Sequence, residues 1–82
     1  MYYYVYILES INNPDKYYTG YTKNLKERLK KHNEGGSPYT STYKPWKIKN
    51  AIAFEEELKA VEFEKYLKSH SGRAFIKKHF AV

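Results

Sequence analysis

The chain has 82 residues, enough for one domain with a thin core, and it has no cysteine with which to reinforce that core. No stretch approaches the roughly 18 apolar residues of a membrane span, and no basic segment precedes the first apolar run as in a signal peptide. We therefore expect a cytoplasmic protein with no membrane partner, in which residues 1–82 form a single domain.

The charge is positive and unevenly distributed. Fifteen Lys and Arg against nine Asp and Glu give a formal net charge of +6, and residues 23–50 hold eight of the bases with only two acids. A basic segment in a chain with 18% aromatic residues favours a polyanionic partner, most often nucleic acid. A solvated cationic surface is the alternative, and charge alone does not separate the two.

The first two elements are predicted to be the strands of a hairpin. Residues 2–8, "YYYVYIL", and 16–21, "KYYTGY", are rich in β-branched and aromatic side chains. The intervening "NNPD" has the composition of a turn.

A helix is predicted next, over residues 24–33. Asn24 followed by Glu27 fits a capping pattern, and Gly35-Gly36 ends the helix. Residues 35–46 are interpreted as a long polar and aromatic loop, a length that is often functional in a small domain.

The remaining elements are a strand over residues 47–54, a helix over 56–69 that "SHSG" breaks, and a last helix over 73–80. Strands come first and helices follow around one small sheet. This order predicts an α+β fold.

Two residues of the first helix are unexpected on an inward face. Helical spacing places Arg28 and His32 on one stripe with Leu25 and Leu29. Because burying an unpaired guanidinium is costly, such a stripe should open onto a partner or a cleft. The alternative is that Arg28 and His32 reach solvent from the stripe's edge.

One acid of the next long helix has a similar position. At about 100° per residue, Glu64 lies beside Ala60 and Leu67 on the apolar stripe, whereas Glu62 faces solvent. Glu64 is the only acid that this interpretation places at the core boundary beside the proposed cleft. The alternative is an edge carboxylate paired with Lys68, worth a few tenths of a kcal/mol.

Five side chains together suggest a chemistry. Tyr6 and Tyr18 can share a sheet face if the hairpin register permits, although each alone is more simply a core tyrosine. With Arg28, His32 and Glu64, they supply two phenols, a fixed cation, an imidazole and a carboxylate. That set suits phosphodiester hydrolysis, which needs charge neutralisation, a ligand for a hard cation and a proton acceptor.

The arrangement of these residues resembles the GIY-YIG nuclease family over essentially the whole chain. The two signature triplets correspond to Tyr4-Val5-Tyr6 and Tyr18-Thr19-Gly20, the helical Arg and His to Arg28 and His32, and the metal-binding Glu to Glu64. The chain is most similar to small single-domain members, which resemble the catalytic module of the bacterial excision-repair nuclease subunit. Tyr4 replaces the Gly of the first triplet and Thr19 the Ile of the second.

The resemblance implies a three-stranded antiparallel sheet flanked by helices and a DNA endonuclease that uses one Mg²⁺ or Mn²⁺. It implies that Glu64 holds the metal, Arg28 stabilises the developing charge and Tyr18 orients water or phosphate. His32 stands where other members carry tyrosine, so either Tyr6 or His32 is the general base.

DNA is the expected partner, held through phosphates around the cleft by the basic segment 23–50. Nothing in the sequence indicates base-specific contacts, so structure-selective or non-specific cleavage is expected, with a partner protein as one source of specificity. The alternatives are a non-catalytic nucleic-acid-binding module, with aromatics of residues 39–46 stacked on bases, and a purely structural interaction domain. The candidate phosphate-binding residues are Lys23, Lys26, Lys30, Lys31 and Lys44.

Overall fold

A computed structural model describes residues 1–80, so the last two residues of the predicted domain lie outside the described part. Within residues 1–80, three strands and four helices follow one another along the chain. They are β1 (Tyr3–Ser10), β2 (Tyr17–Thr22), α1 (Leu25–Asn33), α2 (Pro38–Thr42), β3 (Trp46–Phe54), α3 (Glu57–Lys68) and α4 (His70–His79).

The strands form one antiparallel sheet in the order β2-β1-β3, which confirms the α+β prediction and the β1–β2 hairpin. The central strand β1 is buried from Val5 to Ser10, because it has a strand on each side and helices over both faces. The register places Tyr6 opposite Gly20, and Leu8 opposite Tyr18.

Alternation along β1 divides the core between the two faces of the sheet. Tyr6 and Leu8 face a cluster that includes Trp46, with Leu25 and Leu29 of α1 packed against it. The opposite face of β1 carries two aliphatic side chains packed against α3 and α4. That second cluster contains Val5, Ile7, Ala60, Leu67 and Ile76.

Two predicted boundaries were wrong because local capping was overlooked. The expected loop 35–46 contains α2, which starts with Pro38 and a reciprocal capping box between Ser37 and Thr40. The expected break at "SHSG" is confined to Ser69, whose side chain accepts a hydrogen bond from the Gly72 backbone and caps α4. Consequently α4 begins at His70 and not at residue 73.

No helix among residues 1–80 combines the length and apolar character that a membrane crossing requires.

Candidate active site

The centre of the candidate site is a hydrogen bond between two buried side chains from different elements. The Tyr6 hydroxyl on β1 lies 3.0 Å from His32 Nε2 on α1. Tyr6 is 2% exposed and His32 is 5% exposed, so solvent competes little with this bond. The Tyr18 ring on β2 lies against the imidazole, with ring centroids 4.6 Å apart.

Gly20 makes room for the Tyr6 ring. The two residues are register partners, and a Cβ on Gly20 would lie 2.5 Å from the Tyr6 hydroxyl oxygen and 2.8 Å from Cζ. A side chain at position 20 would therefore push the phenol away from His32. The sequence analysis named Gly20 only as part of the second signature triplet and did not recognise this role.

Both ends of α1 are fixed, and this places His32 over the sheet. Asn24 caps the start by accepting the Glu27 backbone N–H at 3.1 Å. At the other end, the Asn33 side chain accepts the Trp46 backbone N–H at 2.6 Å and donates to the Trp46 carbonyl at 3.2 Å. Asn33 thus ties the residue after His32 to the start of β3, a positioning role that sequence reasoning missed.

The stripe that was predicted to face inward is buried at His32 but open to solvent at Arg28. Arg28 is exposed, whereas Leu25 and Leu29 are partly buried and His32 is fully buried. A guanidinium on the outer edge of the stripe keeps its hydration, which removes the cost that burial would impose. It remains close enough to Tyr6 and His32 for its charge to affect both.

Tyr6 is held in its protonated form. Burial, reinforced by the neighbouring Tyr18 and by the Glu64 charge, raises the pKa of Tyr6 from 10.0 to about 12, against the opposing influence of Arg28. Burial penalises the phenolate because water no longer solvates its charge. At neutral pH Tyr6 is therefore a hydroxyl that can donate one hydrogen bond while accepting another.

His32 is biased towards the neutral imidazole. Burial lowers its pKa below the ordinary 6.5, and the Arg28 charge lowers it further. Both effects disfavour the imidazolium. Among the described residues, His32 Nδ1 has no hydrogen-bond partner, so Tyr6 is the group that contacts the ring's polar atoms.

Glu64 is linked to this group less directly. Its side chain is 17% exposed and accepts a hydrogen bond from Lys68 Nζ at 3.3 Å. Its charge contributes to the raised pKa of Tyr6, but no hydrogen bond within residues 1–80 joins Glu64 to the other four site residues. The Lys68 pairing that sequence offered as the alternative is therefore present, and it leaves Glu64 beside the site.

A second acid with little exposure lies on β1. Glu9 on β1 is 8% exposed and forms ion pairs of 3.4 Å with Lys47 and with Lys49. Burial alone would raise the Glu9 pKa, but hydrogen bonds and charges from the two lysines together hold it below its ordinary value. Glu9 thus compensates one of the two positive charges of Lys47 and Lys49.

The five lysines predicted to hold phosphates are all exposed, and none forms an ion pair with a carboxylate of residues 1–80. They do not share one location. Lys23 Nζ lies 5.5 Å from the centre of the Tyr3 ring, whereas Lys44 Nζ lies near Gly35 after α1. Lys26 and Lys30 border a shallow depression on α1 itself.

Trp46 does not fit the alternative of base stacking by residues 39–46. It is 2% exposed, and its indole N–H donates to the Thr40 carbonyl at 2.9 Å. Tyr39 is the accessible aromatic of that segment, at 41% exposed, and its hydroxyl donates to the Tyr17 carbonyl at 3.0 Å. Its ring centroid lies 6.4 Å from that of Tyr18, so Tyr39 borders the site.

Comparison with known proteins identifies a matching family model and several proteins of similar sequence. The family model described as the GIY-YIG catalytic domain matches residues 2–79. A UPF0213 protein of Streptococcus agalactiae is 36% identical over 80 residues, covering 93% of this chain and 89% of that protein. A UPF0213 protein of Bacillus licheniformis is 40% identical over 57 residues, which cover 68% of this chain but only 59% of that protein.

One solved structure and one longer protein are also similar to this chain. The solution NMR structure of a UPF0213 protein from Bacillus halodurans superposes with a TM-score of 0.56 at 33% identity, covering 95% of this chain and 84% of that one. A Giardia intestinalis homologue of the structure-specific endonuclease subunit SLX1 is 34% identical over 65 residues. That match covers 74% of this chain and 18% of the Giardia protein.

Proposed function

The chain belongs to the GIY-YIG nuclease family, and from that premise we propose that it is a metal-dependent endonuclease that hydrolyses DNA phosphodiester bonds. The observation that carries the proposal is the buried 3.0 Å hydrogen bond between Tyr6 and His32, with the exposed Arg28 beside it. A proton acceptor and a fixed positive charge next to one another are what attack on a phosphate diester requires.

We propose that Tyr6 and His32 act as one base, which would answer the question that sequence left open. A phenol whose pKa is about 12 is a poor acceptor unless it passes on its own proton. As the Tyr6 oxygen takes a proton from the attacking water, its own proton moves to His32 Nε2. The water oxygen then bonds to phosphorus as the bond to the leaving oxygen breaks.

Arg28 and Tyr18 complete this part of the mechanism. Negative charge builds on the non-bridging phosphate oxygens, and an exposed guanidinium can pair with them without first breaking an internal ion pair. Tyr18 packs on the imidazole and holds it in position to accept the Tyr6 proton. Its hydroxyl is proposed to orient the water or the phosphate.

Glu64 is proposed to hold Mg²⁺ or Mn²⁺. Within residues 1–80 no three His, Cys, Asp or Glu side chains cluster as a ligand set, so the protein would supply one carboxylate. A single carboxylate suits a hard cation that takes its other oxygen ligands from water and the substrate phosphate. Glu64 would first have to give up its ion pair with the exposed Lys68. The bound ion would stabilise negative charge on the reacting oxygens.

Selectivity for DNA structure, and dependence on a partner protein, are further parts of the proposal. The Giardia relative is named a structure-specific endonuclease subunit, and a subunit acts with another chain. The exposed Lys and Arg side chains offer charge for phosphates, and phosphate contacts position DNA without reading its sequence.

A plasmid-nicking assay tests the proposed function. Supercoiled DNA should be nicked in Mg²⁺ or Mn²⁺ and left intact in chelator, and Glu64→Gln should abolish nicking. Glu62→Gln is the matched control, because Glu62 lies on the solvent side of the same helix and pairs with Lys59. DNA binding without nicking under every metal condition would instead indicate a non-catalytic binding module.

A further inference from the structure

We propose that a basic groove along the free edge of β2 binds DNA phosphates. These are the phosphates that flank the cleaved phosphodiester on the same strand. The inference rests on the proposed function, which makes DNA the substrate. This β2-edge groove has a volume of about 900 Å³. The lining residues that matter here are Lys16, Tyr18, Tyr39, Lys68, Arg73 and Lys77.

The charge of the groove points to a polyanion. Its lining includes four cationic side chains and a single carboxylate, Asp15. Two of the cations are partly compensated, since Lys16 lies 3.9 Å from Asp15 and Lys68 lies 3.3 Å from Glu64. Arg73 and Lys77 pair with no carboxylate in the described part of the chain.

The spacing of Arg73 and Lys77 supports the same conclusion. They are four residues apart in α4, both exposed, and both line the groove. Like charges at this spacing repel and destabilise a helix by a few tenths of a kcal/mol. A bound phosphate between or beside them would convert that repulsion into attraction.

The groove reaches the candidate active site at two points. Tyr18 lines the groove and also packs on His32. Lys68 lines the groove and also holds Glu64. A strand whose scissile phosphate lay at Tyr6 and Arg28 would therefore continue directly into the groove.

The groove also offers a surface for the uncharged part of a nucleotide. Tyr39 lines the groove with its ring partly exposed, and its hydroxyl donates to the Tyr17 carbonyl. A ring held in this way loses little freedom when a sugar or base packs against it. A groove lined by cations and by an aromatic ring suits one strand of DNA.

The test compares two double variants that each lose two positive charges. Arg73→Gln/Lys77→Gln removes the two uncompensated cations of the groove. Lys65→Gln/Lys78→Gln removes two exposed cations of α3 and α4 that do not line it. Affinity for a fluorescently labelled DNA is measured in chelator, where no cutting is expected, across about 50 to 200 mM salt.

The groove variant should bind about tenfold or more weakly than the control, and its salt slope should fall by about two. Equal affinities and slopes for the two variants would overturn the proposal, as would a wild-type protein that does not bind DNA. Thermal unfolding of both variants checks that they remain folded. If the wild type nicks DNA but the two variants bind it equally, the groove proposal is rejected and the nuclease function stands. If the groove variant binds more weakly but the wild type does not nick DNA, only the nuclease function is rejected.

Discussion

At the scale of single residues, the Tyr6–His32 hydrogen bond determines which group takes the proton. Tyr6 is unsuited to the task alone, because it is hard to ionise. Joined to His32 by one hydrogen bond, Tyr6 can pass its own proton to the imidazole as it takes one from water. The pair also gives a reason for histidine at position 32, where the family resemblance implies tyrosine in other members.

Tyr6→Phe tests this relay with little change in shape. Loss of the hydroxyl should lower the cleavage rate by about 10² to 10⁴, the usual contribution of a positioned acid or base. Single-turnover nicking measures it, with Tyr4→Phe as the control on the same strand. A Tyr6→Phe protein that cuts at the wild-type rate would show that the phenol takes no part.

Gly20→Ala tests the space that the phenol occupies. The added methyl would meet the Tyr6 ring, so the free energy of unfolding should fall by about 1–3 kcal/mol and nicking should slow. Urea denaturation measures the first effect and the plasmid assay the second. If Gly20→Ala retained full stability and activity, the close contact with Tyr6 would be irrelevant.

The lowered pKa of His32 predicts a dependence of stability on pH. Because the folded state disfavours the imidazolium, His32 contributes fully to stability above its unfolded pKa of 6.5 and loses that contribution as pH falls below it. The free energy of unfolding should therefore fall less between pH 7 and pH 5 in His32→Gln than in wild type. Equal losses would mean that His32 titrates normally.

At the scale of secondary-structure elements, α1 contributes Arg28 and His32 to the site, and an asparagine anchors each of its ends. Asn33→Ala removes two hydrogen bonds to the Trp46 backbone, so it should lower the free energy of unfolding by about 1–3 kcal/mol. Asn12→Ala, in the exposed turn, should change it by less than about 0.5 kcal/mol. Similar values for the two variants in urea denaturation would argue against the proposed anchoring.

The elements also show how far sequence reasoning reaches. Alternation and capping patterns were enough for the hairpin, for α1 and for the position of Glu64, because these depend on neighbours within a few residues. The start of α4 and the short helix α2 were missed because Ser69 and Ser37 were interpreted as loop residues, although serine is also a strong helix cap.

Tertiary contacts were beyond the reach of the sequence. Helical spacing put Arg28 and His32 on one stripe, but only the position of α1 over β1 decides that His32 is buried while Arg28 is exposed. Likewise, nothing local indicated that Asn33 would reach the backbone of Trp46, or that Gly20 would lie beneath Tyr6. These relations join residues 13 or more positions apart.

At the scale of the whole molecule, the positive side chains lie in separate places with different neighbours. Lys47 and Lys49 form ion pairs with Glu9, the α1 lysines face outward along their helix, and the groove cations lie beside Tyr18. An overall charge of +6 is therefore less informative than its distribution. We expect DNA affinity to decline steeply with salt, because phosphate contacts supply most of it.

The cleavage rate of Arg28→Ala tests the central claim most directly, because Arg28 is exposed and its replacement should change the free energy of unfolding by less than about 0.5 kcal/mol. Single-turnover nicking in Mg²⁺, at saturating protein, should slow by about 10² to 10³, since the lost contact stabilises the charge of the transition state. Cleavage by Arg28→Ala at the wild-type rate would contradict the assignment of this cluster as the active site.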